Sequence, residues 1–167
     1  MKLLQIDASP RQDSVSRQLT SLFPANWKQQ VPGGQVVHRD LATSPLGLVT
    51  DDWIRGAHSN PEQHTAAHRS ALQYSDKLIE ELQAADVVVI GDPMHNFTIS
   101  TRLKAWLDQV VRFGKTISYG ESGQKGWCWA RKCMCSLRVA APILPARHTH
   151  NSIFRNRTCA ISSVLSA

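Results

Sequence analysis

A chain of 167 residues, 42% of them apolar, is the natural size of one domain with a real core. Its net charge of +6 raises nucleic acid as a partner, but the charge is unevenly spread. Residues 1–126 hold 13 Lys+Arg against 13 Asp+Glu. Residues 127–167 hold Arg131, Lys132, Arg138, Arg147, Arg155 and Arg157 with no acid, together with all four cysteines (Cys128, Cys133, Cys135, Cys159). Two compositional regimes therefore meet near Gly126. The tail arginines are scattered and form no nucleic-acid motif, so nucleic acid is not expected as a partner. No apolar run approaches membrane-spanning length, and the chain opens on strand-like residues rather than a signal peptide. A membrane partner is not expected, and the cytoplasm is the expected compartment.

Residues 2–8 read as a buried strand. Ser9-Pro10-Arg11-Gln12-Asp13-Ser14-Val15-Ser16-Arg17 follows, then a helical pattern to about Gln30, with Ser14 and Ser16 as N-cap candidates and a kink expected at Pro24. Strand, hydroxyl-rich loop and helix amino terminus make an anion site, to which Ser9, Ser14 and Ser16 add hydroxyl donors. The plainer alternative is serines that only cap the helix. Neither a Walker pattern nor G-x-G-x-x-G is present, which points away from a nucleoside triphosphate or a dinucleotide and toward a phosphomonoester. Gly33-Gly34 turns the chain into a more polar, edge-like strand at 35–40. Residues 41–59 read as a loop with one short helix. Asn60-Pro61-Glu62 marks a helix start, with the helix running to about Ala85 and Leu72, Leu78, Ile79 and Leu82 facing inward. His64 and His68, four apart, read as a solvated helix face, since no third metal ligand is placed near them.

Val87-Val88-Val89-Ile90 is a continuous β-branched run, apolar on both faces, as in a parallel strand between helix layers. Gly91-Asp92-Pro93 is expected to stop it. Met94-His95-Asn96-Phe97 then lies at the carboxyl end of a buried strand, where open α/β sheets bind ligands, and offers backbone donors, an amide and two large faces to a flat heteroaromatic ring. After the capping cluster Thr98-Ile99-Ser100-Thr101, Leu103, Trp106, Leu107, Val110 and Val111 follow the helical template. Arg102, Lys104 and Arg112 fall off that stripe and read as solvated. Gly114 ends the helix, and residues 115–126 read as a loop carrying Tyr119.

The alternation of strands and helices predicts an α/β fold, a doubly wound parallel sheet in the flavodoxin-like order 2-1-3-4-5. In that order the first and third strands are neighbours, so the 9–16 loop and the 94–97 loop meet. A phosphate at one and a flat ring at the other describe FMN.

The opening K-L-L-Q-I-D-A-S-P-R with S-V-S-R-Q-L, the core D-V-V-V-I-G-D-P-M-H-N-F-T-I-S-T-R-L-K-A-W-L-D, and the loop G-K-T-I-S-Y-G-E-S-G resemble the FMN-dependent NADH-azoreductases, which are also NADH:quinone oxidoreductases. The resemblance covers residues 1 to about 126. It implies a flavodoxin-like homodimer that binds FMN and takes electrons from NADH. Ser9 and the Ser14-Val15-Ser16 turn would hold the phosphate, and Met94, His95, Asn96 and Phe97 would line the isoalloxazine. His95 stands where the family usually has Tyr. Tyr119 resembles a tyrosine near the substrate pocket, with Ile117 in place of the usual Phe. The implied chemistry is hydride transfer from NADH to flavin, then to a quinone or azo acceptor, in ping-pong order, with no catalytic side chain and no metal. The rival in another class is a flavodoxin-type electron carrier without its own catalysis.

After Gly126 the resemblance stops. A further buried strand and the family's T-S-R-G-G flavin loop are due; the chain reads G-W-C-W-A-R-K-C-M-C-S-L-R-V-A-A. The cysteine spacing C-x4-C-x-C matches no common zinc knuckle. Reading instead from the third base of the Gly126 codon, the nearly forced Trp, Cys and Met codons permit L-V-L-G-K-K-V-Y-V-F-T-S-R-G-G, which restores both strand and loop. Residues 127–167 are accordingly expected to be a frameshifted tail and the carboxyl-terminal part of the fold to be incomplete, leaving 87–90 as an exposed sheet edge.

Overall fold

The computed structural model describes residues 1–120, 123–126 and 133–139. Strands β1 (Lys2–Asp7), β2 (Gln35–Asp40), β3 (Val87–Pro93) and a later strand, Cys133–Val139, form one parallel sheet in which β1 lies between β2 and β3, and Cys133–Val139 lies beyond β3. This is the expected order as far as the described strands go. Alternate residues divide the sheet's faces. Leu4, Ile6, Ala8, Val88 and Ile90 point to one face and form the core with Leu78, Ile79 and Leu82 of α4 (Ala66–Ala84) and Leu103, Trp106 and Val110 of α5 (Thr101–Val110). Helix α1 (Val15–Thr20) covers the other face at the ends of β1 and β3. No helix among the described residues is long and apolar enough to cross a membrane.

Several elements differ from the sequence reading, each for a local reason. The first helix is broken rather than kinked. It ends at Thr20, and α2 (Leu22–Gln30) begins after Ser21. Pro24 has no N–H for the Thr20 carbonyl and is tolerated only in the first turn of a new helix. The long helix starts at Ala66, not at Pro61. Asn60 caps only a single 3-10 turn, Pro61–Gln63, and Thr65 caps the chain again. Thr65 Oγ1 accepts from His68 N–H at 3.2 Å while His68 Nδ1 accepts from Thr65 N–H at 3.5 Å, a reciprocal capping box. His64 precedes the cap, so the two histidines share no helix face; their rings meet edge-on at 6.1 Å. Helix α3 (Asp51–His58) is the short helix foreseen in the 41–59 segment.

Residues 115–126 are not an open loop. They hold an antiparallel hairpin of β4 (Ile117–Gly120) and β5 (Gly123–Gly126). Arg112 is not solvated either. Helix α5 ends at Val110, so Arg112 leaves the helical phase and turns inward, 6% exposed. Its Nη1 donates to Ser75 Oγ at 3.1 Å and Asp76 Oδ1 at 2.7 Å, and its guanidinium lies 5.9 Å from the Trp53 ring centroid. Trp53 Nε1–H in turn donates to Gln109 Oε1 at 2.9 Å, which ties α3 to α5.

The largest correction concerns the sheet edge. Strand β6 (Cys133–Val139) pairs with β3 along its whole length, from Val87 opposite Cys133 to Pro93 opposite Val139, so β3 is flanked on both sides. Arg131 and Lys132 precede this strand in the sequence, and Pro142 and Pro145 follow it. Only Arg138 falls within. Strand β3 itself runs through Gly91 and Asp92 to Pro93, where the proline occupies the last ladder position.

Candidate functional site

Two loops leave the carboxyl ends of neighbouring strands, β1 and β3. The strands are locked together where the loops begin: Asp7 is opposite Gly91, and Ala8 N–H donates to the Gly91 carbonyl at 2.9 Å. The crevice between these loops is where the parallel topology places a ligand.

The first loop presents hydroxyls from a rigid base. Ser9, Ser14 and Ser16 are all buried, at 2%, 9% and 1% exposure, while Val15 between them is 52% exposed. Ser14 is the N-cap of α1 and accepts from Arg17 N–H at 3.4 Å, so the capping role is real. It does not exhaust the hydroxyls. Ser9 Oγ accepts from Arg11 N–H at 3.2 Å and keeps its proton for another acceptor. Ser14 and Ser16 Oγ share one hydrogen bond at 3.3 Å, which uses one of their two protons. Among the described residues two hydroxyl protons therefore remain for an anion, at the amino-terminal end of a helix.

The second loop is a tight turn. His95 and Thr98 exchange both backbone bonds, at 3.0 and 2.9 Å, and Asn96 and Phe97 both take positive φ, +46° and +64°. Positive φ at both central positions is the condition of a type I′ turn. Among the described residues nothing accepts from the Asn96 and Phe97 N–H groups, and Phe97 is 76% exposed. The turn is tied down at its root. The Asp92 carboxylate, 1% exposed, accepts from Ser100 N–H with both oxygens at 3.3 Å, and Ser100 Oγ caps α5 through Leu103 N–H at 3.2 Å. Met94 is half-buried at the base and His95 is exposed. Tyr119 lies in β4 opposite Gln124, away from the two strand ends in sequence; its side chain is outside the description.

The sequence reading missed the residues beneath these loops. Asp7, 2% exposed, accepts from Thr20 Oγ1 at 2.6 Å and from Gln5 Nε2 at 3.0 Å, and contacts His38 Nε2 at 2.7 Å, fixing α1 over the sheet. Arg17 donates through Nε and Nη2 to the Ser9 carbonyl at 3.2 and 2.7 Å, and through Nη2 to Asp40 Oδ1 at 2.6 Å. Burial pushes the Asp40 carboxyl up, but the bonds from Arg17 and Ala42 N–H outweigh it and hold the carboxyl below the usual carboxylate range. Gly91 is where α1 comes close against the strand: a Cβ there would lie 2.7 Å from Thr20 Cγ2 and 3.0 Å from both Asp7 Oδ1 and Ser16 O. None of these had a signal in spacing, except that a glycine late in a buried strand marks a close backbone approach.

Comparison with known proteins agrees with this geometry. The family described as "Flavodoxin-like fold" matches residues 1–153. An FMN-dependent NADH:quinone oxidoreductase of Nostoc sp. is 46% identical over 125 residues, covering 74% of this chain and 60% of the relative. The protein of the same description from Acidobacterium capsulatum is 43% identical over 132 residues, 79% of this chain and 64% of the relative. Among solved structures, the azoreductase from Bacillus anthracis str. Sterne superposes with a TM-score of 0.75 at 31% identity, covering 83% of this chain and 68% of that one. The chain spans about 60% of the length of the first curated relative. On the extent of these matches, the chain belongs to the flavodoxin-like family of FMN-dependent NADH:quinone oxidoreductases and azoreductases.

Proposed function

We propose that the protein is an FMN-dependent oxidoreductase that takes hydride from NADH and delivers it to quinones and azo compounds, acting as a homodimer. The single observation that carries this reading is the pairing of a buried three-serine cradle with a type I′ turn at the ends of adjacent strands. The cradle fits a phosphomonoester and the turn fits the edge of a flat ring. When bound, FMN supplies the redox chemistry, accepting hydride from NADH and passing it on in ping-pong order.

The chain's own residues bind and orient. Ser9 and the Ser14–Ser16 pair would direct their two remaining hydroxyl protons at the phosphate, beside the exposed Val15. The Asn96 and Phe97 N–H groups, held outward by the turn, donate to the polar edge of the ring, with Met94 and His95 completing that wall. Phe97 offers an aromatic face to the acceptor, and Tyr119 on the hairpin is the candidate second wall of the acceptor pocket. NADH oxidation in stopped flow, with a quinone and no protein partner, separates this enzyme from an electron carrier. An enzyme turns over under those conditions, and a carrier does not.

Any flavin the protein holds, once released by heat, should run as FMN on chromatography. The cradle offers one anion site and no dinucleotide fingerprint; recovery of FAD would overturn the assignment of the serines.

Asn96 has a backbone reason to be where it is, since asparagine tolerates the left-handed region better than most residues. Two substitutions separate that reason from binding. Asn96→Gly keeps the turn and removes only the amide, and should weaken FMN by about 1–3 kcal/mol through a buried polar group left unpaired. Asn96→Ala adds strain to the same loss. If the glycine variant titrates FMN like the parent, Asn96 serves the turn alone.

A further inference from the structure

We propose that Arg17 is the positioning residue that makes the serine cradle selective for a phosphorylated ligand, acting through the Ser9 carbonyl with Asp40 as its anchor. The inference rests on the reading of this crevice as an FMN site. Arg17 is 8% exposed and sits one turn into α1, three residues after the N-cap. Its planar fork grips the Ser9 carbonyl with two N–H groups, at 3.2 and 2.7 Å. The same Nη2 reaches Asp40 Oδ1 at 2.6 Å, at the last residue of β2. Asp40 Oδ1 is itself fixed by Ala42 N–H at 2.8 Å.

The consequence is geometric. Among the described residues the chain after β1 has no ladder to define it beyond Ala8, and Pro10 removes the next backbone donor. Among the described residues, only side chains set the direction of the Ser9 peptide. With its carbonyl drawn toward Arg17, Ser9 is pinned at one end, and Ser9 Oγ is pinned at the other by Arg11 N–H at 3.2 Å. Because Arg17 N–H is also the group that Ser14 Oγ caps, one residue links the positions of Ser9 and Ser14. A bidentate grip needs a guanidinium; an ammonium supplies a point charge without the fork.

Phosphate selectivity is the readout, because a merely structural role would not move it. FMN and riboflavin differ only in the phosphate, and the affinity of each is measured by quenching of flavin fluorescence with the full chain. The parent should favour FMN over riboflavin by at least about tenfold, the scale of one or two charge-assisted hydrogen bonds. Arg17→Met should bring the two affinities to within about twofold while leaving riboflavin unchanged, as expected when only phosphate contacts are misplaced. Arg17→Lys should recover part of the preference. Asp40→Asn preserves shape and should show a smaller loss of the same kind; if Arg17→Met does not fold, this variant decides. Equal weakening of both flavins, or an undiminished preference for FMN, would overturn the positioning role and leave the site intact. A parent that does not distinguish the two flavins would instead remove the phosphate reading of the serines, and this inference with it.

Discussion

Gly91→Ala should destabilise the protein by about 1–3 kcal/mol, the usual cost of overpacking a tight interior, and should weaken FMN at the same time. The added Cβ meets three atoms that cannot yield. Thr20 Cγ2, at 2.7 Å, belongs to a β-branched side chain that is fully buried. Asp7 Oδ1, at 3.0 Å, belongs to a carboxylate fixed by Thr20, Gln5 and His38. Ser16 O, also at 3.0 Å, is helix backbone. The strand is held from both sides by β1 and β6, so α1 must lift instead. Lifting α1 carries Ser14 and Ser16 away from Ser9 and opens the cradle. Urea unfolding and an FMN titration on the same samples measure the two effects. A variant within about 0.5 kcal/mol of the parent and with unchanged FMN affinity would show that α1 packs less closely than the structure shows.

Restoring the reading frame after Gly126 should raise FMN affinity by at least about tenfold, the worth of one or two recovered hydrogen bonds. We propose that residues 127–167 are read out of frame; the motivation is the compositional break and the T-S-R-G-G string that the shifted frame permits. The structure changes what this loss should do. The permitted V-Y-V-F falls on the codons of residues 132–136, in the segment that β6 occupies in the chain as it stands. The sheet slot beside β3 is thus filled in the chain as it stands, and β3 is not left as an exposed edge. What differs is the end of the strand. There the written chain has Leu137-Arg138-Val139-Ala140-Ala141, with Val139 opposite Pro93 next to the 94–97 turn. The restored chain would place a hydroxyl pair and two glycines there, and glycine lets backbone donors approach a ring closely. The written chain should therefore purify nearly colourless and the restored chain yellow, by absorbance of bound flavin per protein. Stoichiometric FMN on the written chain would contradict this.

The elements that packing decides were legible, and those that competing local signals decide were not. Val87-Val88-Val89-Ile90 could only be a buried strand, and the stripe from Leu103 to Val110 could only be a helix against the core; both are so. Helix starts were harder. Asn60-Pro61 and Thr65 each carry a cap, and sequence alone does not say that the first closes only one 3-10 turn before the second takes over. Arg112 reads as solvated only if the helix continues in phase, and it stops two residues earlier. The serine loop and the Met94–Phe97 turn were visible because hydroxyls after a strand and an amide after a β-branched run are local patterns. Arg17, Asp40 and Asp7 act through contacts 8 to 31 residues apart, which no spacing rule reports.

The central claim is that one ligand spans the two loops, phosphate on the serines and ring on the turn. A crystal structure of the protein with FMN tests it directly. The phosphate oxygens should lie at ordinary hydrogen-bond distance, about 2.5–3.2 Å, from the Ser9, Ser14 and Ser16 hydroxyls, with the ring's polar edge against the Asn96 and Phe97 N–H groups. FMN bound elsewhere on the chain, or with its phosphate away from the serines, would contradict the account.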